Sequence, residues 1–325
     1  MRRCGLNTLR AVGAVVAAAP FLALAQAYPL KPVRVILASP AGGTPDVVAR
    51  MVAPGLSSRL GQQFIIDNRG GAGGLIATEL TAKAHPDGYT LFIGGPGSLT
   101  IIPHLRQNMP YDTLRDLAPV SLIVIGPYLL IAHPSVPVKT VKDLIVLAKA
   151  EPGKLNYASA GNGAANHLAM EHLKNLAGIN ITHVPYKGAP LAVTDLLAGN
   201  ANLMLNSIPP VLAHIKAGRL RLLGVSSAKR ASQLPEVPTL NETGVHGYEF
   251  TTWFAMLAPA RTPAAIVARL NETVAQVVRV PEMQSRLESL GYELGSGSPQ
   301  AFAAFLRAET EKYARIVKAS GAKVD

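Results

Sequence analysis

The sequence predicts an α/β protein folded as two halves with a helical tail, and three observations carry that reading. Short apolar runs alternate with helical patterns of about 10–15 residues, the signature of βαβ units and mostly parallel sheets. Glycine or proline punctuates almost every junction between them. At 325 residues, 49% apolar and 16% charged, the chain can fill two cores of ordinary size and is too apolar to stay disordered.

Residues 1–27 carry Arg2, Arg3 and Arg10 and no acid, around an apolar stretch from Ala11 to Leu24. The stretch ends in Ala23-Leu24-Ala25 and Ala25-Gln26-Ala27, two overlapping small-x-small sites, so a cleavable signal peptide and an exported protein are expected. The run is shorter than the ~20 residues that a membrane-spanning helix needs. Cys4, the single cysteine, lies in this segment, which excludes an intrachain disulfide and a cysteine zinc site.

Val33–Ala38 reads as a buried strand. Thr44-Pro45-Asp46 opens a helix with a proline and an early acid, and Pro54 is expected to kink or end it. Phe64–Ile66 and Thr90–Ile93 are strands around a helix over Leu75–Ala84. A second series begins near Tyr128, with Thr140 capping a helix to about Ala150. Strands follow at Leu155–Ser159, Ile181–Tyr186, Ala201–Asn206 and Leu220–Ser226, with helices at Ala164–Ala177, Pro190–Ala198 and Val211–Ala217 between them. Residues 229–247 look irregular. Phe250–Leu257 is too apolar a strand to stand alone and is expected to return the chain to the first half, with Trp253 packed in the core. Helices then start at Thr262-Pro263 and Ser298-Pro299. Residues 28–128 with 251–325 are thus assigned to lobe 1 and residues 129–250 to lobe 2, with crossings near 126–130 and 247–253.

The formal charge of +11 falls to +8 once the three leading arginines are set aside. Without a Lys/Arg run, and with only 5% aromatics for base stacking, nucleic acid is not an expected partner. Nucleotide chemistry is excluded by motif. G-x-x-x-x-G-K-[ST] is absent, and G-x-G-x-x-G fails because Ile76 and Asn166 occupy the last glycine position. No cofactor is expected. H-E-x-x-H is absent and His167 and His172 are five apart, so no metal site is expected.

Glycine-rich loops follow the strands where ligands bind open parallel sheets. They are Ser39–Asp46, Gly94–Ser98 and Ser159–Gly163, with Arg69–Gly74 a fourth. Glycine lets backbone N–H groups approach a ligand, and the first turn of a helix adds unpaired amides and the positive dipole end. Such loops converging on one cleft make an anion site. Gly42, Gly43, Thr44, Gly97, Ser98, Gly161, Asn162 and Gly163 are the resulting candidates. Asp46 either binds the amides of its own helix start or orients a ligand through water. His167 is either a core or solvated histidine or a group beside the site. Tyr186 and Asn206 sit at strand ends facing the same edge, and Asp195 is either a solvated helix residue or a cleft group. Tyr157-Ala158-Ser159-Ala160-Gly161 resembles a nucleophile elbow with Tyr157 in place of the first glycine. Ser159 therefore reads as a ligand donor or helix cap. The alternative is an exported serine hydrolase in which a distant histidine comes within ~3 Å of Ser159.

Pro40-Ala41-Gly42-Gly43-Thr44-Pro45-Asp46, Asp67-Asn68-Arg69, Pro110-Tyr111-Asp112, His183-Val184-Pro185-Tyr186-Lys187-Gly188 and Pro235-Glu236-Val237-Pro238-Thr239 together resemble the Bug receptors. These are the TctC-type solute-binding proteins of tripartite tricarboxylate transporters. The resemblance covers essentially the whole chain after residue 27. It implies a two-lobed, type II-like periplasmic binding protein that closes by a hinge on a small carboxylate. It further implies membrane transporter subunits as partners and binding without turnover; a monomer is expected. Loops like Gly42–Asp46 and Gly95–Ser98 would hold the ligand from one lobe. Ser159–Gly163 with Tyr186, Asp195 and Asn206 would complete the site from the other. Leu99-Thr100 departs from the His-Ala pair of many members.

Overall fold

The computed structural model describes residues 28–295 and 297–322. The expected signal peptide, residues 1–27, lies outside them. In the first half Val33–Leu37 (β1) is flanked in parallel by Phe64–Asn68 (β2) and Thr90–Gly94 (β3). The connections are the helices Thr44–Leu60 (α1) and Leu75–Ala82 (α2). Val48, Val52, Leu56 and Leu60 line up at helical spacing on the buried face of α1. Pro54 does not end this helix. It lies on the exposed face, where water can hydrate the Arg50 carbonyl that loses its intrahelical donor. After β3 the chain makes a wide π-helical turn, Gly97–Ile101, continues into Ile102–Leu105 (α3), and passes Thr113–Asp116 (α4), capped by the Asp112 side chain.

The strand Leu117–Ala132 (β4) belongs to both halves. Residues 117–127 pair antiparallel with Thr251–Pro259 (β9), and residues 128–132 pair antiparallel with Leu203–Ser207 (β7) and Arg221–Val225 (β8). The sequence reading starts this strand only near Tyr128. Pro119 and Pro127 disguise its first part, and Pro119 is accommodated at a register shift, where a strand tolerates a missing N–H. In the second half Asn156–Ser159 (β5) pairs in parallel with Thr182–Pro185 (β6) and β7. The helices Val141–Ala150 (α5), Ala165–Ala177 (α6), Ala189–Leu197 (α7) and Leu212–Lys216 (α8) connect its strands. Parallel pairing is thus confined to the outer strands. The strands that carry the chain between the halves run antiparallel, so both sheets are mixed.

After β9 come Ala264–Val278 (α9), Pro281–Ser289 (α10), the two-residue strand Glu293–Leu294 (β10) and the long helix Pro299–Ser320 (α11). Trp253 is fully buried against Phe302 and Leu306 of α11, and its indole N–H donates to the buried Glu309 carboxylate at 2.8 Å. Farther along the same helix, Tyr313, Ile316 and Val317 enter the core of the second half beside Leu173 and Tyr248. One helix therefore buries its apolar face in both cores, bracing the two halves from behind.

The crossing itself is tied by side chains. The Ser226 hydroxyl accepts from the Tyr128 amide of β4 at 2.7 Å and donates to the Phe250 carbonyl just before β9. The Tyr313 hydroxyl donates to the Thr251 carbonyl. Both crossing strands are thereby held in one register where they leave the first half.

Candidate functional site

A cleft opens between the halves. It is lined from the first half by Ser39, Gly43, Thr44, Gly73, Gly74, Gly97, Ser98 and Phe254, and from the second by Asn166, Gly188, Ala189, Asn206 and Ser207. Tyr128 and Thr252, from the crossing strands, form its floor. Its volume, about 140 Å³, suits a small guest. The lining, among the described residues, holds no charged side chain.

Two features give the cleft its character. First, α1, α2, α6 and α7 all start at it, with Gly43, Gly74, Ala164 and Gly188 at the cap positions and no side chain bonded to the first turn. Side-chain caps are found at Asp112, Thr140 and Ser298, away from the cleft. Helices α3, α8, α9 and α10 also start without one, so it is the convergence of four such starts on one space that sets the cleft apart. Four helix starts without side-chain caps leave first-turn amides and positive dipole ends converging on one space. Second, Ser39 Oγ, Ser98 Oγ, Asn206 Nδ2 and Thr252 Oγ1 are buried with no hydrogen-bond partner, and all four residues line this cleft. Buried donors without partners cost free energy and are rare outside sites that a ligand completes. Neutral donors and dipoles, with no counter-ion, define an anion site.

The structure brings only some of the sequence candidates to this lining. Gly43, Thr44, Gly97, Ser98 and Asn206 are there. Gly42 and Asp46 stand just behind it. The Asp46 carboxylate accepts from the Gly42 amide (2.9 Å), Asn68 Nδ2 (3.0 Å) and Arg50 Nε (2.9 Å), and so ties its loop to β2. Burial by itself would raise this carboxyl, but the bonds from Arg50, Gly42 and Asn68 outweigh it and hold the group below its ordinary value. Gly161, Asn162 and Tyr186 line a second cavity beside the cleft. The Tyr186 hydroxyl donates to Asp195 Oδ2 at 2.7 Å, which takes Asp195 away from the cleft. Ser39, Gly74, Tyr128, Asn166, Ser207 and Thr252 are absent from the sequence candidates. Only position could have signalled them, Ser207 at the end of its strand and Gly74 in the fourth glycine loop.

Ser159 lies outside the cleft lining. Its hydroxyl meets His183 Nε2 at 2.6 Å and accepts from the Gly161 amide at 3.1 Å. The hydrolase alternative requires such a pair, and the chemistry does not follow from it. Burial pushes His183 down to about 3, helped by His167 and Lys174, so the imidazole is too weak a base to activate a hydroxyl near neutral pH. The His183 ring stacks between His167 (4.2 Å) and Tyr157 (4.8 Å), and His167 Nδ1 accepts from the Gly163 amide. The cluster props up the Ser159–Gly163 loop from behind. It also sets a pH dependence. The folded value of His183 lies below the ordinary 6.5, so the unfolded chain binds more protons between about 3 and 6.5 and folding stability falls as pH falls through that window. Thermal unfolding followed from pH 7 to pH 4 should show a steeper drop for the native chain than for His183→Gln, which keeps a group able to bond Ser159. Equal slopes would place the titration elsewhere.

A cleft between two α/β halves, floored by the strands that join them, defines a two-lobed solute-binding protein. Comparison with known proteins gives the family. The tripartite tricarboxylate transporter family receptor (TctC) pattern matches residues 48–322, and the chain belongs to that family. It is 35% identical to protein BugT of Bordetella pertussis over 301 residues, 92% of each chain. Among solved structures it is similar to Rhodopseudomonas palustris Rpa4515 with adipate (TM-score 0.88, 38% identity, 91% of this chain and 100% of that one). It is also similar to MatC of the same organism with bound malate (TM-score 0.85, 29% identity, 89% and 100%). The protein is a solute-binding receptor, not an enzyme, and the Ser159 hydrolase reading is set aside.

Proposed function

We propose that this protein captures a small carboxylate in the cleft between its lobes, in the periplasm, and delivers it to the membrane subunits of a transporter. The observation that carries the reading is the convergence of four helix starts lacking side-chain caps and four buried, unpartnered polar atoms on one uncharged cleft. A carboxylate accepts up to four hydrogen bonds and replaces the partners those donors lack. The relatives with adipate and malate support the ligand class, and the family supports the transport role. Ser39, Gly43, Thr44, Gly97, Ser98, Asn166, Asn206 and Thr252 are assigned to the ligand. The lobes hinge where β4 and β9 cross, at Gly126–Tyr128 and Phe250–Thr251, the arrangement of a hinged binding protein.

Titration calorimetry and thermal unfolding against mono-, di- and tricarboxylates, amino acids and nicotinate-like acids test this. At least one acid should bind and, at a hundredfold excess over its Kd, add about 2.7 kcal/mol to stability. No shift with any small anion would overturn the carboxylate assignment.

A further inference from the structure

We infer that Tyr111 and Thr113 are positioning residues for the guest anion, although neither lines the cleft. Their hydroxyls hold the carbonyls of Ser98 and Leu99 turned away from it, so that the wide turn Gly97–Ile101 meets the guest with donors instead of carbonyl oxygen. This role rests on the carboxylate reading above.

The need for the two hydroxyls arises from one proline. In a π-helical turn each N–H reaches back five residues, and the Ile102 amide accordingly donates to the Gly97 carbonyl. The next donor in that register, due to Ser98, falls on Pro103, which has no N–H. Pro103 also removes the donor that an α-type bond, reaching back four residues, would bring to Leu99. Both residues are buried, where an orphaned acceptor is costly. The segment that follows α3 supplies the partners. Tyr111 Oη donates to the Ser98 carbonyl at 2.5 Å and Thr113 Oγ1 to the Leu99 carbonyl at 2.8 Å. Asp112, between them, is fixed in turn, because its carboxylate accepts from the Leu114 and Arg115 amides at the start of α4. Burial holds the Tyr111 phenol well above its ordinary value, so it stays a donor.

The consequence falls on the guest. Gly97 and Ser98 line the cleft, and the peptide that joins Ser98 to Leu99 follows directly. Its N–H is held loosely, by the Gly95 carbonyl at 3.3 Å, and its carbonyl tightly, by Tyr111 at 2.5 Å. Without the phenol hydroxyl the tighter hold is gone, and rotation of this peptide would turn an oxygen towards the cleft. A carbonyl facing a carboxylate repels it, whereas the same carbonyl accepts from the N–H of a neutral amide. The phenol also lies against the Thr78 hydroxyl, which donates to the Gly74 carbonyl at 3.0 Å. One side chain thus serves both the turn after β3 and the start of α2.

The test deletes single hydroxyls, in Tyr111→Phe and Thr113→Val. Tyr28→Phe is the control, since it loses a buried bond to the Gly88 carbonyl (2.6 Å) at the opposite end of β3. Hydrogen exchange of the ligand-free protein, followed by mass spectrometry, should run roughly tenfold faster over residues 97–102 in Tyr111→Phe, less so in Thr113→Val, and at the native rate in Tyr28→Phe. Calorimetry then sets an acid against its neutral amide, adipate with adipamide and malate with malamide first, then the best acid of the series above, with weak amides read by competition. In Tyr111→Phe the acid should lose roughly tenfold in affinity and the amide little, so the acid-to-amide ratio falls. General loss of order would weaken both probes alike and leave that ratio where it was. Faster exchange together with a fallen ratio supports the role. Native exchange over 97–102, or a native ratio in both variants, overturns it and leaves the carboxylate reading intact. Failure of the native protein to bind any acid overturns the two together.

Discussion

Ser98→Ala combined with Asn206→Leu is expected to make the ligand-free protein more stable and nearly unable to hold its guest. Both side chains are buried, and Ser98 Oγ and Asn206 Nδ2 have no partner in the folded chain. A buried unsatisfied donor costs about 1–3 kcal/mol, and replacement by an apolar group of similar shape removes that cost. The apo unfolding midpoint should therefore rise by several degrees, at about 2–4 °C per kcal/mol for a chain of a few hundred residues. A donor to a charged acceptor is worth about 1.5–3 kcal/mol, so loss of two should weaken binding by roughly two orders of magnitude or more. Scanning calorimetry of the apo protein and titration with the best acid measure both effects on one sample. A fall in the apo midpoint would mean that these groups serve the fold. An affinity within about threefold of the native value would remove them from the site. The opposed signs matter, because general damage to the fold lowers both quantities together.

The lobes' local pattern was legible because its determinants are local. Glycines at strand ends, prolines at helix starts and the period of the apolar residues located the strand–helix junctions that became the cleft. What escaped depends on which strand lies beside which. From its place in a glycine loop Ser159 reads as a ligand donor or a helix cap. Its partner is His183, on the neighbouring strand, where the register sets Tyr157 opposite His183 and Ser159 opposite Pro185. Nothing within either segment announces that pairing. Asp46 was open between two roles, and Asn68, on another strand, holds it at its loop. Thr252 and Tyr128 line the cleft only because the crossing strands pair Gly126 with Thr252 at its floor. Helix α11 looked like a tail. Its phenylalanines serve one core and Tyr313 the other, a division that becomes visible only with both cores in place.

Closure should fail in Gly188→Ala and survive in Gly42→Ala. Both glycines have positive φ, +115° and +76°, so alanine strains the backbone at each. Only one of them faces an obstacle. A Cβ on Gly188, in the second lobe, would sit 2.5 Å from Pro40 Cγ of the first, whereas one on Gly42 finds its nearest neighbour, Pro190 Cγ, at 3.9 Å. The lobes are also joined by a hydrogen bond between Thr44 Oγ1, from the same loop as Pro40, and Ser207 Oγ at 2.5 Å, which a wedge that keeps the lobes apart would break. If the clash raises the closed state by about 3 kcal/mol, the closed fraction and the apparent affinity fall together by roughly a hundredfold. X-ray scattering with and without saturating acid reads closure as a contraction. Native protein and Gly42→Ala should contract, and Gly188→Ala should remain extended at any ligand concentration that its solubility allows. Because both variants carry backbone strain, a shared loss of stability says nothing about closure. Full contraction of Gly188→Ala would show that the lobes meet by another path, and that the Pro40–Gly188 approach is incidental to binding.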